Sequence, residues 1–160
     1  MSPETLKRAL VREVPCLRTE QEVGEAVLTI IDAGLPALPV VDDSERFFGI
    51  FGEREFIGAL FPGYFQELRS ARFVTHSIDE VIEQRLGCRH DPVGKYANTE
   101  HIGAGPDWSD AQLAETFLHH RVLVVPILDE GARVRGVVTR SDFFKALAER
   151  LTGASSTTDA

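Results

Sequence analysis

The segment Pro39-Val40-Val41-Asp42 returns as Pro126-Ile127-Leu128-Asp129, 87 positions later, and the same offset carries Gly49 onto Gly136, Glu55 onto Asp142 and Phe56 onto Phe143. The chain is thus two copies of one unit. A unit repeated in this way cannot bury its apolar face alone, so the copies are expected to share a core and to leave clefts where they meet. Those clefts are where functional side chains are expected.

Composition narrows the partners. With 160 residues and 43% hydrophobic content, the chain has enough apolar surface for a compact core. A net charge of -8 leaves no basic surplus to displace counterions from a nucleic acid or to hold an acidic membrane. Small molecules or proteins are the expected partners, with no nucleic acid and no membrane. No run of 18 apolar residues occurs, and the opening MSPETLKRAL lacks the apolar centre of a signal peptide, so a soluble cytoplasmic protein is expected. Cys16 and Cys88, one in each half, are too few for a disulfide framework. Both are read as buried free thiols.

Local patterns place the elements. Thr19 with Glu22 reads as a capping box, followed by apolar residues at Val23, Ala26, Val27, Ile30 and Ile31, the spacing of one helix face, with Gly34 as the stop. Leu35 to Val41 and Phe47 to Phe51 read as a hairpin around the polar turn Asp42 to Arg46, and a helix from Glu53 to Leu60 ends before Pro62-Gly63. The second copy gives a helix from Asp107 to His119, strands Val122 to Leu128 and Val134 to Val138, and a helix from Ser141 to Leu151. Trp108 falls in the first turn of the first of these helices, in a packing role. Glu13 to Leu17 and Glu100 to Ala104 each supply a further strand, so the unit is strand, helix, strand, strand, helix.

The intervening stretch does not repeat. It carries a second capping box, Ser77 with Glu80, opening a helix with Ile78, Val81, Ile82 and Leu86 on one side before Gly87. Its aromatics Phe61, Tyr64, Phe65 and Phe73 are expected to fill core. The resulting division is a first repeat over 1–62, a helical insert over 63–96, a second repeat over 97–152 and a disordered polar tail over 153–160.

The paired segments LPVVDDSERFFGIFGEREF and VVPILDEGARVRGVVTRSDFF, each set in the order helix, hairpin, helix, resemble the cystathionine-beta-synthase (CBS) domain family, whose members occur as tandem pairs called Bateman modules. The resemblance spans both copies. GVVTRSD is its most specific part, with the glycine, apolar pair, threonine and aspartate of the family pattern. It implies an α/β (α+β) fold of two βαββα repeats packed with pseudo-twofold symmetry. It also implies a cleft that takes an adenine nucleotide (AMP, ADP or ATP) or S-adenosylmethionine as a regulatory ligand. By the same resemblance Asp142 takes the ribose hydroxyls, Thr139 lies near phosphate or ribose, the backbone at Val122 and Leu123 flanks adenine, and Ile102 and Ala104 line the cleft.

Elementary chemistry makes this turn a plausible anion and diol site. Residues Thr139 to Asp142 lie at a strand-to-helix turn, where unpaired N–H groups and the helix dipole favour an anion. A carboxylate can accept two hydrogen bonds from a vicinal diol. Ser141 belongs to the same turn, Arg140 is placed to meet a phosphate, and Arg121 and His101 are weaker candidates. Thr139 with Asp142 is equally a capping box that only satisfies the helix N–H groups, and the two roles can coexist. The first copy departs from the pattern, with Gly52 for the threonine and Glu55 for the aspartate. Gly52, Arg54 and Glu55, with Leu35 and Pro36, form a weaker second site, for which an N-cap and a first-turn acid are the favoured reading.

Other chemistry is less supported. Cys88, His90, His76 and His101 match no zinc spacing, so no metal is expected. His119-His120 suits a helix C-terminus. No nucleophile elbow, Walker loop or dinucleotide fingerprint occurs, so no catalysis is expected. Two functions remain: a stand-alone regulatory module, homodimeric and acting on an unknown effector protein, or a ligandless scaffold for dimerisation. They differ in whether Thr139 and Asp142 face an open cleft or are consumed in capping.

Overall fold

The computed structural model describes residues 10–61, 78–100 and 103–153. Ser77, Pro62-Gly63, Tyr64, Phe65, Phe73, His76, His101, Ile102 and the tail beyond 153 lie outside the described residues. The chain forms two compact units, one of Pro15–His101 and one that joins Met1–Val14 to Ile102–Ala160.

In the unit of Pro15–His101, strand β1 (Leu17–Arg18) pairs in parallel with β2 (Ala37–Val41), which pairs antiparallel with β3 (Phe47–Gly52). All five residues of β2 are buried, as a central strand's near-continuous apolar run requires. Helix α1 (Val23–Ala33) buries Val23, Ala26 and Ile30, and Gly34 ends it at φ 67, the left-handed region in which glycine carries no Cβ penalty. Helix α2 (Glu53–Leu60) follows β3 directly and buries Ala59.

The expected Thr19–Glu22 box does not form. Thr19 is committed to the sheet, its N–H donating to the Val41 carbonyl at 3.1 Å, so Glu22 becomes the N-cap residue without a side-chain cap. The Val23 N–H finds the Asp91 carbonyl at 3.0 Å instead. Insert helix α3 (Ile78–Arg85) buries Val81, but Ile78, Ile82 and Leu86 are exposed, so the expected apolar side is not covered. Arg85 Nη2 donates to the Ala59 carbonyl at 2.8 Å, in the last turn of α2, where a cation suits the helix dipole. Cys88 is buried, whereas Cys16 is exposed beside β1 because Leu17, not Cys16, turns into the core.

In the other unit, β4 (Val124–Leu128) and β5 (Val134–Thr139) form an antiparallel pair flanked by α4 (Asp110–His119) and α5 (Arg140–Thr152). Its core gathers Leu10, Trp108, Leu113, Phe117, Val138 and Phe143, with the Phe117 and Phe143 rings 5.5 Å apart. Helix α4 starts at Asp110 rather than Asp107, because Ser109 and Gln112 make a full reciprocal capping box. Trp108 therefore precedes the helix and is buried with Leu113, the staple arrangement of residues either side of a first turn.

The repeat is visible in detail within each unit. The ladder shifts register between Val40 and Val41 and again between Ile127 and Leu128. Asp42 Oδ1 accepts from the N–H groups of Ser44 and Arg46, as Asp129 Oδ1 does from Gly131 and Arg133. Glu45 and Ala132 both adopt φ 61. These are matching Asx turns.

The segments ahead of each repeat depart from expectation. Of Glu13 to Leu17, only Leu17 enters strand β1, and among the described residues of Glu100 to Ala104 only Ala104 pairs. Leu17 pairs with Val40 and Ala104 with Ile127 in parallel, as the repeat requires. Just upstream, however, Arg12 bridges antiparallel to Val137 of the second repeat, and Asn98 bridges Ile50 of the first. Each repeat's outer strand residue is thus contributed from ahead of the other repeat.

Two glycines permit this. A Cβ on Gly136 would lie 2.6 Å from the Arg12 carbonyl oxygen, and one on Gly49 would lie 2.6 Å from that of Asn98. Gly136→Ala is expected to lower stability by about 1–3 kcal/mol, the usual cost of forced overpacking. Gly58→Ala, on helix α2 with nothing within 4 Å of the new Cβ, is expected to be neutral or to stabilise by up to about 1 kcal/mol. Urea unfolding of the two variants checks both, and equal stabilities would show that the Arg12 pairing yields easily.

Candidate functional site

The β5–α5 turn is built by the helix N-terminus. Thr139 is the N-cap residue, is buried at 4% exposure, and its Oγ1 accepts from the Asp142 N–H at 3.0 Å. Its hydroxyl oxygen thus serves the helix. The Arg140 N–H donates to the Leu123 carbonyl at 2.9 Å, which fixes the segment ahead of β4 against the turn. Arg121, at φ 50, begins that segment. The structure therefore brings Leu123, Thr139, Arg140 and Asp142 together, with exposed side chains at Ser141, Arg140, Arg121 and Leu123 and a half-buried Val122. Strand β4 begins at Val124 rather than Val122.

Asp142 does not complete a capping box. Both of its carboxylate oxygens accept from Arg12 Nη2, at 2.9 and 2.8 Å, with 22% of its side chain exposed. Arg12 is a site residue that the sequence reading missed. The repeat offset places position 12 opposite Thr99, and nothing in that pairing signals an arginine meeting an aspartate from the far end of the chain.

Ala104 lines a cavity of its own unit, of about 250 Å³, with Gly103, Trp108, Gln112, Thr116 and Val125. Its lining includes neither Thr139 nor Asp142.

The matching turn of the first repeat is arranged differently. The Glu53 N–H donates to the Pro36 carbonyl at 2.9 Å, the counterpart of Arg140 to Leu123. Glu55 Oε2, however, accepts from the Gly52 N–H at 3.2 Å, so this carboxylate returns to its own helix terminus. A Cβ on Gly52 would fall 2.3 Å from the Pro36 oxygen and 2.4 Å from the Ala37 Cβ. The missing hydroxyl and the tight backbone are thus one feature. Leu35, Pro36 and Gly52 border an apolar groove of about 510 Å³ between α1 and α2, whose walls include Val27, Ile30 and Phe56. Arg54, exposed, and Glu55 do not line it.

Burial raises the Glu55 carboxyl above its ordinary value of 4.5, against the lowering effect of the N–H groups of Glu55 and Gly52 and the charge of Arg54. A raised folded-state value means that the native protein binds more protons than the unfolded chain over that window. Stability is then lost as pH rises through it. Glu55→Gln should gain stability relative to the parent between pH 4 and pH 7, measured by denaturant unfolding at both. A gain at pH 4 that disappears at pH 7 would show that the hydrogen bonds outweigh the burial.

Among the described residues, no helix is long and apolar enough to cross a membrane. Comparison with known proteins gives the fold its family. The CBS domain profile matches twice, at residues 6–62 and 93–149. Protein MJ1225 of Methanocaldococcus jannaschii is 22% identical over 144 residues, 90% of this chain and 43% of its own length. Protein MJ1404 of the same organism is 25% identical over 96% of this chain and 34% of its own length. The chain thus spans less than half the length of these relatives. Among solved structures, the CBS-domain containing protein ATU1752 from Agrobacterium tumefaciens superposes with a TM-score of 0.65 at 21% identity, covering 91% of this chain and 92% of that one. MJ1225 gives a TM-score of 0.71 at 18% identity over 89% of this chain and 50% of its own. CBSX2, solved in complex with AMP, gives 0.65 at 15% identity over 89% and 96%. With both repeats matched and together covering more than half of the sequence, the chain belongs to the CBS domain family and carries two copies of that domain.

Proposed function

We propose that this protein is a non-catalytic regulatory module that binds an adenine nucleotide or another adenosyl ligand at the β5–α5 turn of its second repeat. On this reading, repeats 1–62 and 97–152 are joined by connector 63–96, and binding alters the shape or association of a cytoplasmic homodimer that acts on a separate effector protein. The observation that carries the reading is the disposition of Asp142. Its carboxylate is partly exposed and is held by a side chain rather than by the helix it begins. It is thus available in exchange for one partner, whereas Glu55 already meets its own backbone. The solved complex of CBSX2 with AMP supports the ligand class.

The scaffold reading draws on one observation, the buried Thr139 hydroxyl oxygen spent on the Asp142 N–H. Under the nucleotide reading, Thr139 shapes the turn, the N–H groups of Arg140 and Asp142 hold it to Leu123 and Thr139, and the Ser141 N–H and the Arg140 side chain meet the phosphate.

A ligand bound only by the folded state adds about 2.7 kcal/mol at a hundredfold excess over its dissociation constant. AMP, ADP, ATP or S-adenosylmethionine should therefore raise the melting temperature, and Asp142→Ala should remove the effect while Glu55→Ala leaves it nearly intact. Unchanged melting with all four at millimolar concentration favours the scaffold. The homodimer is read from family likeness and from exposed apolar residues at matched helix positions, Ile31 with Leu118 and Ile57 with Phe144. Light scattering at micromolar concentration is expected to give twice the chain mass of 17.7 kDa, and a value near 17.7 kDa would refute the dimer.

A further inference from the structure

We infer that Arg12 competes with the ligand for Asp142, so that the ion pair and an occupied site are alternative states of the second repeat; this rests on the nucleotide reading above. The geometry sets the exclusion. A single nitrogen, Arg12 Nη2, lies 2.9 and 2.8 Å from the two oxygens of Asp142, and so sits astride the carboxylate edge. A vicinal diol that donates one hydrogen bond to each oxygen needs that same edge.

The backbone of Arg12 is not free to drift away. Its N–H donates to the Val137 carbonyl at 2.8 Å and its carbonyl accepts from the Val137 N–H at 2.9 Å, while Gly136 leaves room for that approach. The guanidinium is therefore delivered to Asp142 from a fixed strand position. Release is a side-chain movement. The arginine is 48% exposed at its side chain, so the pair is wet and of modest strength, and a ligand can exchange with it.

Among the described residues, no such competitor is seen at the first repeat. Asn98 stands where Arg12 stands, bridged to Ile50, and its side chain accepts from the Glu100 N–H. Competition is thus a property of the second repeat, and it lowers the affinity for any ligand that claims the carboxylate. A freed guanidinium near an anionic ligand partly offsets this cost, so an uncharged ligand reports the competition most cleanly.

Calorimetric titration of the full chain with adenosine, and in parallel with AMP, tests the inference in the parent and in Arg12→Ala. Removing the side chain should tighten adenosine binding roughly two- to fivefold, the range of an exposed ion pair, with a smaller gain or none for AMP. Added salt should tighten adenosine binding to the parent, because screening weakens the pair, and should leave Arg12→Ala unaffected. If Arg12→Ala folds poorly, as its melting curve would show, Arg12→Gln and the salt series on the parent give the same readout. Equal adenosine affinity in parent and variant, with no salt effect, overturns the competition and leaves nucleotide binding in place. Weaker adenosine binding in the variant also overturns it, making Arg12 a ligand contact. Failure of both parent and variant to bind adenosine or AMP overturns the nucleotide reading and the competition with it.

Discussion

In each unit, a glycine in the middle of the hairpin's second strand lets a carbonyl oxygen from elsewhere in the chain approach to a distance that no Cβ allows. Gly136 admits Arg12 and Gly49 admits Asn98. Most of the architecture depends on this close pairing. It satisfies the outward N–H and C=O groups of Ile50 in β3 and Val137 in β5, which would otherwise be buried unpaired or left on an open edge.

Two nearly identical turns nevertheless have different chemistry. Both begin a helix after a strand that ends in the core, and both tie their first helical N–H to the residue ahead of the hairpin's first strand. In the second repeat a threonine fits and caps the helix, so the acid three residues on is spared that duty and faces an arginine brought in by the exchanged strand. In the first repeat the backbone crowds against Pro36 and Ala37, only glycine fits, and the acid turns back to the helix terminus. A carboxylate in the first arrangement is open to exchange. In the second it is a structural group under mild burial strain.

Much of this was legible from the sequence because the signals were local. Helix α2 begins and ends where its pattern indicates, Gly34 terminates α1, and Asp42 and Asp129 mark their turns by residue type alone. Two of the failures come from partners distant in sequence. Thr19 has the right spacing to cap α1 but is claimed by Val41. Ile78, Ile82 and Leu86 show helical periodicity, yet periodicity does not say whether anything covers the face. Arg12 was invisible for the strongest version of this reason, since its partner lies 130 positions away and the repeat maps it onto a threonine.

The exchange of strand residues also bears on how such a chain can be divided. A sequence repeat suggests two interchangeable pieces, each of which might be excised or shuffled at the boundary between copies. The backbone does not respect that boundary. A cut between the copies would leave each hairpin with a glycine-notched, unpaired edge, the kind of surface that recruits a strand from another molecule. The unit that closes its own pairing is therefore the duplicated pair, not the single copy.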